Sequence, residues 1–313
     1  MNEIHKILAN VSRVIIGKED KIKILLAAIF SNGHILIEDV PGTGKTTLAK
    51  AIAKSLGCTF KRIQFTPDLM PSDIIGLSVY DKHKDDFIFK PGPVLSQFIL
   101  ADEINRTSPK TQSALLEAMA EKQVTVDGFT HLLPVPFIVI ATQNPIEYEG
   151  TYPLPEAQLD RFMLSISIGY PDPLDEQKIL KLQPGSDLLL EVDTVIQSNE
   201  LISIQEKVTT VHISMAVEEY IVKLTQATRI HPDILLGISP RGSQYLYSAA
   251  RGFAFLHNRE YVLPDDIKML VIPVFSHRLI LKPQARLKGK TASDVLGEIL
   301  DKTQVPVSFN VTD

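Results

Sequence analysis

Five short apolar runs organise the first part of the chain, and segments of helical periodicity separate them. Within each run the apolar residues are nearly continuous and do not alternate with polar ones. This pattern is typical of strands that are buried on both faces of a parallel sheet. The runs are residues 34–38, 60–65, 97–102, 136–142 and 162–168.

Helix signals between these runs complete an alternation of strands and helices. Residues 46–56 place Leu48 and Ile52 on one face and stop before Gly57, which is a favourable C-cap residue. A second helix is expected after Ser108, an N-cap residue that is followed by proline. The alternation predicts a doubly wound α/β domain with a parallel five-stranded sheet between helices.

Two stretches interrupt this alternation. Residues 66–94 are long for a connection, contain several prolines and glycines, and include the polar run 81–86. Residues 124–130 are interpreted as a hairpin whose turn is formed by Asp127 and Gly128. Long connections inside a compact domain are usually functional insertions, and we expect both stretches to be such insertions.

The strand signal fades after residues 170–173, and the remaining chain has helical periodicity. The predicted helices are residues 199–208, 214–230, 239–256 and 264–270. We therefore predict an α/β domain over 1–171, a proline-containing acidic linker over 172–198 and a small all-helical lid over 199–313. The tail beyond Pro283 is expected to pack loosely on this lid.

Composition and charge bound the class of protein. The chain has 313 residues, 44% of them apolar, and a net charge of −5, which disfavours nucleic-acid binding through bulk charge. Cys58 is the single cysteine, so no internal disulfide can form. The N-terminus lacks an apolar signal segment, and the longest apolar run, 24–30, is too short for a membrane span. We expect a cytoplasmic protein.

A glycine-rich segment follows the first predicted strand and opens the first predicted helix. It reads Asp39-Val40-Pro41-Gly42-Thr43-Gly44-Lys45-Thr46-Thr47. In a phosphate-binding loop, backbone N–H groups surround the phosphates, the lysine reaches the β- and γ-phosphates of ATP, and the Thr46 hydroxyl holds Mg²⁺. Asp39 stands where the general pattern has its first glycine. The alternative is a glycine-rich turn with an exposed lysine.

Two acids end the third apolar run. Asp102 and Glu103 follow four apolar residues, at the carboxyl end of a strand where open α/β sheets bind ligands. Asp102 is a candidate to hold Mg²⁺ through its water shell, and Glu103 to polarise the attacking water. Asn144 follows the fourth run and is either a group that positions this water or a turn former. A solvated Asp-Glu loop is the alternative for the acids.

Three sequence blocks and one downstream motif match a single family pattern in order. They are residues 40–46, Ala-Asp-Glu-Ile-Asn-Arg at 101–106, Leu-Pro-Glu-Ala-Gln-Leu-Asp-Arg-Phe at 154–162, and Ser-Pro-Arg-Gly at 239–242. On these blocks the chain resembles the MoxR family of AAA+ ATPases over nearly its whole length. Aspartate at position 39 is a common variant in that family.

The resemblance implies roles that spacing alone does not assign. Asn144 resembles sensor 1, and Arg161 resembles the arginine finger that reaches ATP on the neighbouring subunit. Arg241 resembles sensor 2, which is directed from the lid to the γ-phosphate, and Ile16-Gly17 resembles the segment beside adenine. The two insertions resemble elements that face the central pore or the client.

Each arginine also has an alternative or a physical argument of its own. Arg161 could instead form a surface salt bridge with Asp160 or Glu156. Arg241 falls in the first turn of a helix, where a cation opposes the helix dipole, so a phosphate target explains its position. Arg106 could contact nucleotide or a subunit interface, or pair with Glu103.

The resemblance implies Mg²⁺-dependent ATP hydrolysis in a ring, expected to be a hexamer, that remodels or matures a client protein. Its adaptor in the family is often a protein with a von Willebrand factor A domain, and no nucleic acid is expected. A nucleic-acid motor and a non-hydrolysing nucleotide-dependent ring subunit are the alternatives. The balanced charges of residues 81–86 disfavour the motor, and the intact site residues disfavour the inactive ring.

Overall fold

The computed structural model of the protein describes residues 2–144, 150–181 and 188–306. The chain divides into two compact units. The first holds the chain up to Ile22 together with Leu36–Arg161 and Ser167–Ile202. The second holds Lys23–Ile35, Phe162–Ile166 and the chain from Ser203 onward.

Strands and helices are numbered in chain order. The strands are β1 (Ile35–Glu38), β2 (Phe60–Gln64), β3 (Gly76–Asp81), β4 (Asp86–Pro91), β5 (Phe98–Asp102), β6 (Gln123–Val126), β7 (Phe129–Leu132), β8 (Ile138–Gln143), β9 (Leu164–Ile166), β10 (Ile234–Leu236) and β11 (Ile280–Leu281). The helices are α1 (Asn2–Val14), α2 (Glu19–Phe30), α3 (Lys45–Ser55), α4 (Pro71–Ile75), α5 (Pro109–Glu121), α6 (Glu156–Leu159), α7 (Pro173–Leu180), α8 (Ser198–Thr209), α9 (Met215–Ile230), α10 (Pro240–Leu256), α11 (Pro264–Phe275), α12 (Pro283–Leu287) and α13 (Ala292–Lys302).

One parallel sheet contains all five predicted strands, in the order β2-β5-β8-β1-β9. The central strand β5 is buried at every position, as its continuous apolar run predicted. β8 pairs with it in parallel, with Ile138 opposite Phe98. The fifth run was predicted too long by two residues at each end, because β9 covers only Leu164–Ile166, and the other bounds differ by at most two residues. The sheet order places the carboxyl ends of β2, β5, β8 and β1 along one edge.

The helices that flank the site begin where the sequence predicted them. Gly44 has a φ of 81° and lies at the N-cap of α3, whose buried face includes Leu48 and Ile52. The Ser108 hydroxyl caps α5 by accepting the N–H of Thr111 at 3.4 Å, and proline follows at the first helical position. The N-terminal helices α1 and α2 were not predicted, and α2 contains the apolar run 24–30.

The two insertions form hairpins. The stretch 66–94 is not an irregular loop, since it contains α4 and the antiparallel pair β3–β4, in which Gly76 lies opposite Pro91. The predicted hairpin of 124–130 is confirmed as β6–β7. Asp127 and Gly128 have φ values of 50° and 82°, the two positive angles that favour an Asp-Gly turn.

The described part of the chain from Ser203 onward is mostly helical, as predicted for the lid, and also contains the short antiparallel pair β10–β11. α11 extends past the predicted residue 270 to Phe275. The expectation of a loosely packed tail is wrong for its described part, because α13 buries Val295, Leu296 and Ile299. The last part of this tail, 307–313, lies outside the described residues.

Two further observations concern the linker and membranes. The stretch 172–198, predicted as a linker, contains α7 and a 3₁₀ turn at Leu188–Glu191, and its residues 182–187 lie outside the described ranges. Within those ranges, no helix combines the length and the apolar character needed to cross a bilayer.

Candidate active site

The glycine-rich loop connects β1 to α3 and encloses its own lysine. Gly42 has a φ of 86°, a left-handed conformation that glycine adopts without strain. The Lys45 ammonium donates to the carbonyl oxygens of Asp39 and Val40, at 3.0 and 2.7 Å. The loop therefore holds the ammonium at the N-terminus of α3, where backbone N–H groups and the helix dipole favour a bound anion.

A cavity of about 360 Å³ joins this loop to the acidic pair. It is lined by the predicted phosphate-binding residues of the loop and by the polar residues that end β5 and β8. These include Pro41, Gly42, Gly44, Lys45, Thr46 and Thr47 from the loop and α3, and Asp102, Glu103 and Asn144 from the strand ends. The structure thus brings together residues that lie up to 103 positions apart in the sequence, Pro41 to Asn144.

Asp102 is fixed within a set of hydrogen bonds at the edge of the sheet. Its side chain is buried, with a relative exposure of 7% for the residue. Its Oδ1 accepts a hydrogen bond from the Thr142 hydroxyl at 2.6 Å, and its Oδ2 accepts one from Nε of Arg62 at 2.9 Å. Because both oxygens already have a donor, a magnesium ion at Thr46 would meet this carboxylate most easily through a water ligand.

Glu103 is held apart from Asp102 by a turn of the backbone. Its φ of 58° lies in the left-handed region, and its N–H donates to the Thr142 hydroxyl at 2.8 Å. On the side chain, Oε2 accepts hydrogen bonds from Nε2 of Gln64 at 2.7 Å and from Nη1 of Arg106 at 3.0 Å. Of the three possibilities for Arg106, the structure shows the pairing with Glu103.

The chemistry of this cavity suits a metal-assisted phosphate site. Within the described ranges, no group of three or more His, Cys, Asp or Glu side chains could hold a metal alone. Hydroxyl and carboxylate oxygens of Thr46 and Asp102 nevertheless line one wall, and Mg²⁺ prefers such oxygen ligands with waters and substrate phosphates completing its shell. The residues present therefore fit a magnesium ion that arrives with a nucleotide.

A second cavity, of about 530 Å³, lies beside the loop. Apolar side chains and backbone line most of it, including Ile15, Ile16 and Ile168, together with Thr43 and Gly169. An apolar slot of this kind has the chemistry to take a planar base, and Ile16, predicted to lie beside adenine, is among its lining residues. Thr47 lines both cavities.

Gly17 and Asp39 act on this second cavity without lining it. A side chain at Gly17, whose φ is 74°, would meet the carboxylate of Asp175, since an added Cβ would lie 1.6 Å from Oδ2. Asp39 is buried, and its Oδ2 accepts the N–H groups of Ile168 and Gly169, at 2.9 and 2.8 Å. Asp39 thus links the glycine-rich loop to the wall of the second cavity.

Neither Arg161, the predicted arginine finger, nor Arg241, the predicted sensor 2, lines either cavity. Arg161 belongs to the first unit and donates from Nη1 to the carbonyl oxygen of Leu116. Arg241 belongs to the second unit and lies exposed in the first turn of α10, behind the Ser239 cap. Asn144, by contrast, is buried at the end of β8 within the phosphate cavity.

Sequence reasoning did not single out Arg62, Gln64 or Thr142, although each contacts one of the two acids. All three lie near the carboxyl ends of strands that neighbour β5. The available signal was the polar side chains at the ends of β2 and β8. Their role can be recognised only when the order of the strands in the sheet is known.

Comparisons with known proteins identify the family of this chain. Residues 34–164 match the model of the ATPase family associated with various cellular activities, and residues 226–299 match the AAA lid domain. The chain is 38% identical to the chaperone MoxR1 of Mycobacterium tuberculosis, over 98% of this chain and 83% of that protein. This chain belongs to the MoxR family of AAA+ ATPases.

Two other comparisons extend over similar lengths. The chain is 51% identical to the uncharacterized protein YeaC of Bacillus subtilis, over 96% of this chain and 94% of YeaC. A crystal structure of a candidate ATPase from Cytophaga hutchinsonii is similar with a TM-score of 0.90 and 42% identity, and covers 97% of this chain and 95% of its own. The MoxR fold, an α/β AAA+ module followed by a helical lid, therefore applies to the whole chain.

Proposed function

We propose that this protein hydrolyses ATP with magnesium and couples the reaction to remodelling of a client protein. The single observation that carries the proposal is the phosphate cavity, which brings Lys45, Thr46, Asp102, Glu103 and Asn144 together. A loop that only bound nucleotide would not need a carboxylate and an amide at the position of the γ-phosphate. Membership of the MoxR family supports the same chemistry.

Each residue of the cavity has a distinct part in the proposed reaction. Lys45 and the N–H groups of the loop bind the phosphates and offset the negative charge that moves during phosphoryl transfer. Thr46 and Asp102 hold the magnesium ion, which supplies further charge stabilisation. Glu103 accepts a proton from the attacking water, and Asn144 orients that water or the γ-phosphate.

A ring of copies completes the site. Arg161 is proposed as the arginine finger, which acts on the ATP of the next subunit, and Arg241 as sensor 2, which acts on the ATP of its own. A finger supplied by a neighbour raises the rate of phosphoryl transfer by several orders of magnitude, so hydrolysis depends on assembly. A hexamer is the expected ring, and the cytoplasm its expected location.

The hairpins are the proposed contact with the client. The two hairpins carry exposed apolar side chains, and Phe89 of β4 stacks on His131 of β7 with ring centroids 3.9 Å apart, which joins the hairpins into one surface. The exposed members are Leu77, Tyr80, Phe87, Phe129 and Leu132. Exposed apolar clusters of this kind mark interaction sites in soluble proteins. An adaptor with a von Willebrand factor A domain is the proposed partner.

Phosphate release by wild type and by Glu103→Gln tests the hydrolysis. Loss of a general base lowers the rate by about a hundredfold or more, while ATP binding should persist because the loop is unchanged. Glu121→Gln, at the exposed end of α5, is the matched control and should retain the wild-type rate. Equal turnover by wild type and Glu103→Gln would refute the proposal.

Capture experiments with the same variant test the client. Glu103→Gln should hold ATP without hydrolysing it and so retain client proteins on assembled rings. Recovery of a defined protein partner from an ATP-dependent pull-down supports remodelling. Turnover that DNA stimulates, with no protein partner recovered, would instead favour a nucleic-acid motor.

A further inference from the structure

A buried arginine in the second unit holds the chain directly after the proposed arginine finger. Arg278 ends the 3₁₀ turn Ser276–Arg278 that follows α11, and its residue exposure is only 6%. Burial of a guanidinium is costly unless its N–H groups find acceptors, so the acceptors of Arg278 indicate what this side chain is for.

Two of its hydrogen-bond partners are consecutive backbone carbonyls, and a third contact is with Nε2 of His277, 2.6 Å from Nη1. Arg278 donates from Nη2 to the carbonyl oxygen of Phe162 and from Nη1 to that of Met163, the latter at 3.2 Å. Nη1 also donates to the carbonyl oxygen of Val274 in α11. The guanidinium lies over the ring of Tyr245, 5.0 Å from its centroid, which adds a cation–π contact.

The peptide that Arg278 holds is fixed from other sides as well. Phe162 is fully buried, and the Met163 N–H donates to the carbonyl oxygen of His34 at 2.7 Å. An added Cβ at Gly33 would lie 2.5 Å from the Met163 sulfur, so the chain packs closely at this point. Residues 162 and 163 therefore have little freedom, and the residue that precedes them is Arg161.

We propose that Arg278 is a positioning residue for the arginine finger. By fixing the carbonyl groups of Phe162 and Met163, it sets the direction in which the chain presents Arg161 to the neighbouring subunit. This inference rests on the proposed role of Arg161 as the finger. It adds that Arg278 acts on the finger through the two peptide carbonyls that directly follow Arg161 in the chain.

The geometry requires arginine. A guanidinium presents N–H groups in a planar fork, which can serve two successive carbonyls at once, whereas an ammonium is a point donor on a flexible stem. Arg278→Lys keeps the charge and loses the fork. We expect this variant to bind a fluorescent ATP analogue with wild-type affinity and to release phosphate at least about tenfold more slowly, because finger contributions to the rate are large.

Mixed rings distinguish positioning of the finger from general damage to the subunit. Glu103→Gln subunits do not hydrolyse ATP but carry an intact finger, so they should restore turnover at an adjacent Arg278→Lys site. In an equimolar mixture about half of the Arg278→Lys subunits receive such a neighbour, since a ring contact is head-to-tail. Turnover per Arg278→Lys subunit should rise toward about half the wild-type value.

Two reference mixtures make the result decisive. Arg161→Ala mixed with Glu103→Gln should recover in the same way, and failure of that recovery would overturn the finger role itself. Recovery with Arg161→Ala but none with Arg278→Lys would overturn only the positioning role. Arg286→Lys, at an exposed arginine of α12, should behave as wild type.

Folding of the variant is checked by thermal unfolding and by the size of the assembled ring. If Arg278→Lys does not fold, Tyr245→Leu takes its place, because it removes the ring against the guanidinium and leaves both hydrogen bonds possible. A smaller loss of turnover that Glu103→Gln restores is the expected result. Loss of turnover without restoration would count against the proposal.

Discussion

Gln64 donates from its side-chain amide to Oε2 of Glu103 at 2.7 Å, so strand β2 holds the proposed general base directly after β5. Arg106 donates to the same oxygen at 3.0 Å. These two donors restrain the carboxylate, so turning it toward an attacking water would cost at least one hydrogen bond. Gln64 and Arg106 thus position the Glu103 carboxylate and also restrict its movement.

Removal of the amide should raise turnover without a client. In Gln64→Ala we expect phosphate release at saturating ATP to increase by about two- to tenfold, since one net hydrogen bond is worth about 1 kcal/mol. Lys61→Ala, on the opposite face of β2, is the control and should match wild type. A slower Gln64→Ala enzyme would show that the amide supports the reaction instead.

Asp39 offers a test of the link between the two cavities. Asp39→Gly introduces the residue of the general loop pattern and removes the acceptor of the Ile168 and Gly169 N–H groups. Because these residues line the base cavity, KM for ATP should rise by about tenfold, which corresponds to about 1.4 kcal/mol, with kcat little changed.

Asp85→Gly is the matched control for this change. Asp85 is exposed in the β3–β4 turn with a φ of 51°, where glycine fits without strain, and it lies away from both cavities. Its KM for ATP should equal that of wild type. An unchanged KM in Asp39→Gly would mean that the loop and the base wall are positioned independently of the carboxylate.

Client capture should depend on the exposed face of the second hairpin. Phe129 is 73% exposed on β7, so Phe129→Ala costs little stability and removes apolar contact area. In the Glu103→Gln background, this change should reduce the amount of client retained on beads by at least about fivefold, as loss of an aromatic contact of about 1 kcal/mol implies. Leu287→Ala, at an 88% exposed residue of α12, should retain as much client as the parent.

The stability of the protein should fall in mild acid because of His277. Burial, and then the charge of Arg278, place the pKa of His277 well below its ordinary value of 6.5 in the folded protein. The unfolded chain takes up the proton near pH 6.5, so this contribution to stability is complete above that pH and is lost as the pH falls. The slope contributed by one such group is at most about 1.4 kcal/mol per pH unit.

His277→Asn removes this titration. Between pH 7.5 and 5.5 the free energy of unfolding of the variant should change less steeply than that of wild type, whatever its absolute stability. His83→Asn, at an exposed histidine of the β3–β4 turn, should keep the wild-type slope. Parallel slopes for wild type and His277→Asn would contradict a neutral, buried imidazole.

The parts of the site that are contiguous in sequence could be predicted, and those that depend on strand order could not. The loop around Lys45 and the pair Asp102-Glu103 each form one short segment with a known physical purpose. Gln64 and Thr142 acquire their roles only because β2 and β8 are the neighbours of β5. Without that order, a polar residue near a strand end has no evident partner.

The same limit explains the error in the tail. The sequence predicts loose packing of the tail beyond Pro283, but Lys290 donates to Asp233 at 2.8 Å and to Glu298 at 2.7 Å. The Lys290 ammonium is therefore paired with a carboxylate 57 positions away in the sequence. Its second bond, to Glu298, helps to hold α13 in place. Local charge says little about packing when the partner is distant in sequence.

The left-handed backbone of Glu103 has an evolutionary consequence. Glycine would adopt the φ of 58° with less strain, so Glu103→Gly should relieve about 1 kcal/mol of backbone strain, while it loses the proton acceptor and the side-chain hydrogen bonds to Gln64 and Arg106. Backbone strain therefore favours glycine at this position, whereas hydrolysis requires glutamate. In a paralogue that is not under selection for ATP hydrolysis, we expect glycine to replace glutamate at this position. Such a substitution would indicate a subunit that no longer hydrolyses ATP.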